Sequence, residues 1–269
     1  MWRIMGPALL FSGSAIGTSH LVQSTRAGAL YGLAMLSVIL LAGILKYPAF
    51  RFAVDYGHST RRSIMVGYRE LGLWAPLLFA AAGLTIMPII IAALSMATSG
   101  ISVVVFGVDL PVQLTAVSLI ALCAFVLLFG GYSWLDWINR VLVLFLVLAT
   151  LVTTVLVLPQ VNWSTFANVG WVFDPKAILF VVALAGFMPT ALEASVTQSI
   201  WTAKAEQRLG DGQEATTRDA RGAFFIGYAL TMVLAVCFCI MGAGVMHAGG
   251  IVPESSATGF AQQIIDLYS

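Results

Sequence analysis

The sequence predicts an all-α polytopic membrane protein, and three observations carry that prediction. The 269-residue chain is 60% hydrophobic and only 9% charged, with a mean hydropathy of +0.96, far from the balance of a soluble domain. Several apolar runs reach or exceed the roughly 20 residues needed to cross a bilayer as a helix. Those runs follow one another without the ten-residue alternation of barrel strands, so each satisfies its backbone internally as a helix.

Seven spans are predicted, at about 6–31, 33–54, 73–106, 112–130, 138–158, 176–201 and 221–247. The first run is too long for a cleaved leader and leads straight into the second, so the chain is expected to insert by its own helices. The third contains Met87-Pro88 and exceeds the bilayer thickness, which predicts a tilted or kinked helix. Cys123, Cys237 and Cys239 all lie in apolar runs without metal-knuckle spacing and read as packing residues.

Charge sets the expected topology. Arg3, Arg61, Arg62, Arg69, Arg140, Lys204, Arg208, Arg218 and Arg221 fall in alternate loops, and the opposite loops hold only Lys176. The positive-inside rule therefore puts the N-terminus in the cytoplasm and residue 269 on the outer side of a cell membrane. Trp74, Trp134, Trp137, Trp163 and Trp171 sit near predicted span ends and suit interfacial belts. Lys46 and Arg51 read as snorkelling cations at the inner end of the second span. Asp136 and Arg140 are spaced to form a helix pair, with an inner gating role as an alternative.

Two spans are interrupted near their middles, the first by Gly17-Thr18-Ser19-His20 and the sixth by Gly186-Phe187-Met188-Pro189-Thr190. Glycine weakens a helix, proline removes a backbone donor, and such backbone survives at membrane depth only against protein or a water-filled cavity. With five spans per repeat the two breaks are equivalent positions, which points to the central site of an inverted-repeat transporter. Two packing kinks are the plainer alternative. Beyond the breaks, His20, Gln23, Ser24 and Ala27 share one helix face, as do Thr190, Glu193 and Thr197.

Glu193 is the most informative residue, because an intramembrane carboxylate pairs, carries protons or binds a cation. Arg26 is its candidate ion-pair partner; a static Glu193–Arg26 pair and a proton-carrying Glu193 both remain open. His20 is a candidate proton-coupling group or metal ligand, with a hydrogen-bonded structural histidine as the alternative. Met188 offers a soft thioether, or plain apolar filling. No phosphate loop, nucleophile-and-base pair or metalloprotease motif is present, so neither enzyme activity nor a cofactor is expected. The expected partners are the lipid bilayer, protons and a small cation or small solute, with no nucleic acid.

At these residues the chain resembles the Nramp family of proton-coupled divalent metal transporters. The stretch GPALLFSGSAIGTSHLVQSTRAGALYG fits the family pattern without gaps, and Met188-Pro189, with Ala185 three residues earlier, matches the family's Met-Pro-His. The resemblance implies a LeuT-like fold, alternating access, proton coupling and Mn or Fe as cargo. It also departs from the pattern. The family's Asp-Pro-Gly-Asn is replaced by Gly17-Thr18-Ser19-His20, and its histidine by Thr190. What the resemblance leaves as metal ligands is His20, Met188 and carbonyls near Gly17 and Ala185, with Glu193 restoring a negative charge. It implies 1–158 as a first five-helix repeat and 176–269 as the start of a second, incomplete one. An amine or amino-acid transporter of the same fold, or a non-transporting sensor or scaffold, are the alternatives.

Overall fold

The computed structural model describes residues 5–17, 19–107, 110–168, 170–209, 216–254, 256, 259–260 and 262–263. Arg3, Thr18 and residue 269 lie outside them, as do the side chains of Asp136 and Arg208, so the expected Asp136–Arg140 pair does too. Among the described residues the chain is helical, with no strand.

The first span is broken as expected. Helix α1, Met5–Ala15, ends before Gly17, and the chain resumes as a wider π-helical turn, Ser19–Ser24, leading into α2, Thr25–Tyr31. Gly32, at φ 61°, turns the chain into α3, Met35–Thr60. A short amphipathic helix, α4 (Ile64–Leu71), is capped by the Ser63 side chain and precedes α5, Trp74–Phe106, which runs on through Pro88. The sixth span divides into α7, Pro175–Phe187, and α8, Ala194–Leu209. Helix α9, Thr217–Met241, continues as a π-helical turn, Gly242–His247.

One boundary differs. Residues Val112–Val157 form a single 46-residue helix, α6, where two spans were expected. At 1.5 Å per residue it is about 69 Å of helix, more than twice a bilayer core, so its two apolar windows, Val112–Phe129 and Trp137–Gln160, lie in one helical run. The residues between them include Gly130 and Gly131 but no proline, and glycine weakens a helix without forbidding it. Among the described residues, five helical stretches are long and apolar enough to cross a membrane, and the two broken spans divide into shorter pieces.

α3 forms the spine of the bundle, packing against α8 and α9, while α1 packs on α9 and α6. At one end Phe11, Phe50, Phe224 and Tyr228 pack edge-on and stacked, with centroids 5.4 to 5.9 Å apart. Deeper in the bundle, Leu33, Met35, Ile39, Leu184 and Met188 form a second buried cluster. Trp171 packs against this cluster rather than standing free, whereas Trp74, Trp134, Trp137 and Trp163 are exposed, as belt residues would be. Cys237 and Cys239 are buried packing residues; Cys123 is exposed on α6.

The basic segments gather at one end. The Arg221 guanidinium donates to both Asp55 carboxylate oxygens at 2.7 and 2.9 Å, and Gln207 Nε2 donates to the Arg61 carbonyl. Arg51 also reaches Asp55, at 3.7 Å. At the opposite end the Leu33 N–H donates to Thr165 Oγ1 and His247 Nδ1 donates to the Ala29 carbonyl.

His58 Nδ1 meets Glu206 Oε1 at 2.9 Å, tying α3 to α8 where both side chains are largely buried. Deleting the ring strands a buried carboxylate, which costs more than the hydrogen bond itself was worth. His58→Leu is expected to destabilise the protein by about 2 kcal/mol, read as a lower thermal midpoint in detergent. Restoring the amide-like partner by His58→Gln should recover part of that loss.

Candidate functional site

The two breaks face each other across a cavity of about 310 Å³. Its wall takes Ser14, Ala15 and Gly17 from the first break, Phe187, Thr190 and Glu193 from the second, Met87, Ile90 and Leu94 from α5, and Thr197 and Trp201 from α8. The cause is local. Pro189 has no N–H, residues 188–193 turn instead of coiling, and helix resumes only at Ala194.

Glu193 therefore precedes α8 rather than lying one turn inside it, as its spacing from Thr190 and Thr197 predicted. The cavity nevertheless gathers all three side chains, because the turn at 191–193 swings Glu193 toward the first break. Its carboxylate sits at the positive end of α8, a favourable place for an anion. Glu193 and Met87 also line a second cavity of about 490 Å³, walled by Phe52, Tyr68, Phe79 and Ile86 toward α3, α4 and α5. A single carboxylate thus stands between two largely apolar chambers.

The other expected ligands are not gathered there. His20 is fully buried, with Nε2 donating to the Thr231 carbonyl at 3.1 Å and a further hydrogen bond to the Ala15 backbone. α9 supplies the carbonyl that this ring meets, and His20 is not among the residues lining the cavity. Met188 is fully buried in the core cluster, and Ser24 Oγ donates to its sulfur at 3.6 Å. Ala185 packs against the same cluster. Gln23 lines a separate cavity of about 200 Å³ with Val22, Ile90 and Phe187. Among the described residues no three His, Cys, Asp or Glu side chains are grouped to hold a metal ion.

Arg26 does not meet Glu193. Its guanidinium carbon lies 5.6 Å from the centroid of the Phe260 ring, a cation–π contact on the far side of α2. The offset of about 120° between Arg26 and His20 on the helix accounts for this.

Lys46 is the residue that sequence reasoning misplaced. Its Nζ donates to the Gly186 carbonyl at 2.6 Å and to the Thr190 carbonyl at 3.3 Å, and it interacts electrostatically with Glu193. α3 continues past Lys46 to Thr60, and the side chain meets the second break. In an unbroken helix the Gly186 carbonyl would accept from the Thr190 N–H; the break leaves it open, and the ammonium takes that place. The available signal was Lys46 itself, an ionisable residue thirteen positions into a span that starts at residue 33.

No family model matches the chain. It is 29% identical over 269 residues to an uncharacterised protein of Pasteurella multocida, an alignment covering 98% of this chain and 61% of that protein. The fold is similar to that of the Eremococcus coleocola manganese transporter, crystallised with an aromatic bis-isothiourea substituted compound. The TM-score is 0.66 at 17% identity, over 97% of this chain and 58% of that one. The chain thus spans about three-fifths of the length of both proteins. The helical architecture, the two broken spans and this likeness together make the chain a multi-pass membrane protein with a LeuT-like transporter fold.

Proposed function

We propose that the protein is a secondary active transporter of the Nramp family that moves a small cation by alternating access, the broken helices rocking around the cavity at Glu193. The observation that carries this reading is a carboxylate lining a cavity between two opposed helix breaks, in spans predicted from the sequence to cross the membrane, where a charge is costly unless it serves a cation or a proton. The family resemblance and the manganese-transporter neighbour favour Mn or Fe as cargo. Proton coupling falls to Glu193, since the His20 ring is fully buried and lies outside the cavity lining. The clustering of Arg61, Arg221 and their neighbours at one end supports a cytoplasmic N-terminus. In this reading, 1–158 is the first repeat and 176–269 opens the second.

A small organic amine is the second reading. It is favoured by the aromatic and apolar walls of both cavities and by the lack of a grouped ligand set among the described residues.

Uptake into proteoliposomes under an inward proton gradient tests both. Saturable Mn(II) uptake that a proton ionophore abolishes is the expected result. Mn-independent uptake of methylammonium, unaffected by excess Mn(II), would transfer the assignment to amines. Absence of flux for either would leave a scaffold.

A further inference from the structure

A positive charge stands beside the cavity described above, on a carbonyl of Thr190, one of its lining residues. Lys46 extends from the middle of α3 into the second break and seats its ammonium on two backbone carbonyls, Gly186 and Thr190. Thr190 itself lines the cavity. The carbonyls at the end of α7 also carry the negative end of that helix's dipole. A cation arriving at the break thus finds the oxygen cradle already filled and a like charge beside it.

We propose that Lys46 is a tethered cation that occupies the carbonyl cradle of the second break and so decides the charge of the cation the cavity admits. With Lys46 seated, its charge and that of Glu193 already cancel, so a monovalent cation or an amine is opposed less than a divalent ion. A divalent ion gains the cradle only when the ammonium moves off it. Lys46 is therefore a specificity-determining residue: the cavity is tuned against divalent cargo in this conformation, and the flexible four-carbon stem is what makes displacement achievable. The inference rests on the cation-transport reading and, while the ammonium is seated, favours its second cargo, an amine, over Mn or Fe.

Calorimetric titration of Mn(II) into the purified protein in nanodiscs provides the test. Lys46→Met removes both the charge and the donors; Lys46→Gln removes the charge but keeps N–H donors for the carbonyls, guarding against loss of fold. Both are expected to bind Mn(II) at least about ten-fold tighter than the unsubstituted protein, equivalent to about 1.4 kcal/mol. Lys46→Arg should stay at the starting affinity, and Lys46→Gln with Glu193→Gln should lose the gain. A merely structural role for Lys46, capping the end of α7, predicts lower stability and no gain in affinity. Folded Lys46→Met and Lys46→Gln proteins that bind Mn(II) no tighter than the parent overturn the proposal, as does an equal gain in Lys46→Arg. Failure of the transport reading shows elsewhere, as cation uptake that is indifferent to Glu193→Gln in the otherwise unsubstituted protein.

Discussion

Glu193→Gln is expected to reduce cation uptake and equilibrium binding by about 10- to 100-fold while leaving the fold intact. The two side chains have nearly the same shape, so the walls formed by Thr190, Thr197 and Trp201 need not move. What is lost is the negative charge in a chamber whose other walls are mostly apolar, where an ionic hydrogen bond contributes roughly 1.5–3 kcal/mol. No second carboxylate lines either cavity among the described residues, so nothing takes over its role. Glu193→Asp should restore charge but not reach, and give an intermediate loss. Isotope uptake and calorimetry on the same preparation separate the cases. A Glu193→Gln protein with unaltered saturable uptake would remove the carboxylate from the mechanism. One with unaltered stability and no binding in either form would point to a fold retained without its transport function.

The breaks were legible in the sequence because they rest on covalent facts: Pro189 lacks an N–H whatever surrounds it, and Gly17 lacks a side chain. The stripe logic was less secure. It treated residues after each break as if helix resumed at once, which holds for His20 to Ser24 and fails for Thr190 to Glu193, where helix begins only at Ala194. Which side of the helix faces the cavity depended on tertiary partners that periodicity does not name. His20 and Met188 carry ligand chemistry, but Thr231 and Ser24 reached them first. Lys46 shows the opposite error. A lysine near a predicted span end reads as interfacial, and periodicity does not name the Gly186 and Thr190 carbonyls that its ammonium meets. The two apolar windows, Val112–Phe129 and Trp137–Gln160, were legible as spans, whereas the helix that joins them was not, since helix persists there with no proline to break it.

The largest effect on stability is expected at a reciprocal glycine crossing between α2 and the end of α9. A Cβ on Gly28 would strike the Cys239 carbonyl, and one on Gly242 would strike the Thr25 carbonyl, so each glycine lies against the other helix's backbone. Backbone cannot turn aside as a side chain can, so even one methyl must push the helices apart. Gly28→Ala and Gly242→Ala should each cost about 3 kcal/mol, the upper part of the range for overpacking, with Leu at either place blocking assembly. Ala27, Ala29, Ala235 and Ala243, all buried around the crossing, would lose contacts as the gap opens. The double alanine substitution should cost less than the sum, because the first displacement already makes room for the second methyl. Gly222→Ala, in α9 where nothing lies within 4 Å, is the control and should hold or raise stability. Thermal unfolding in detergent measures all four proteins. Additive losses, or a tolerated Gly28→Leu, would show that the crossing is loose. If the crossing holds as tightly as its geometry requires, α2 and α9 move as one body. In the transport cycle proposed above, rocking is then taken up at the first break, whose Ala15 and Gly17 line the cavity with Glu193.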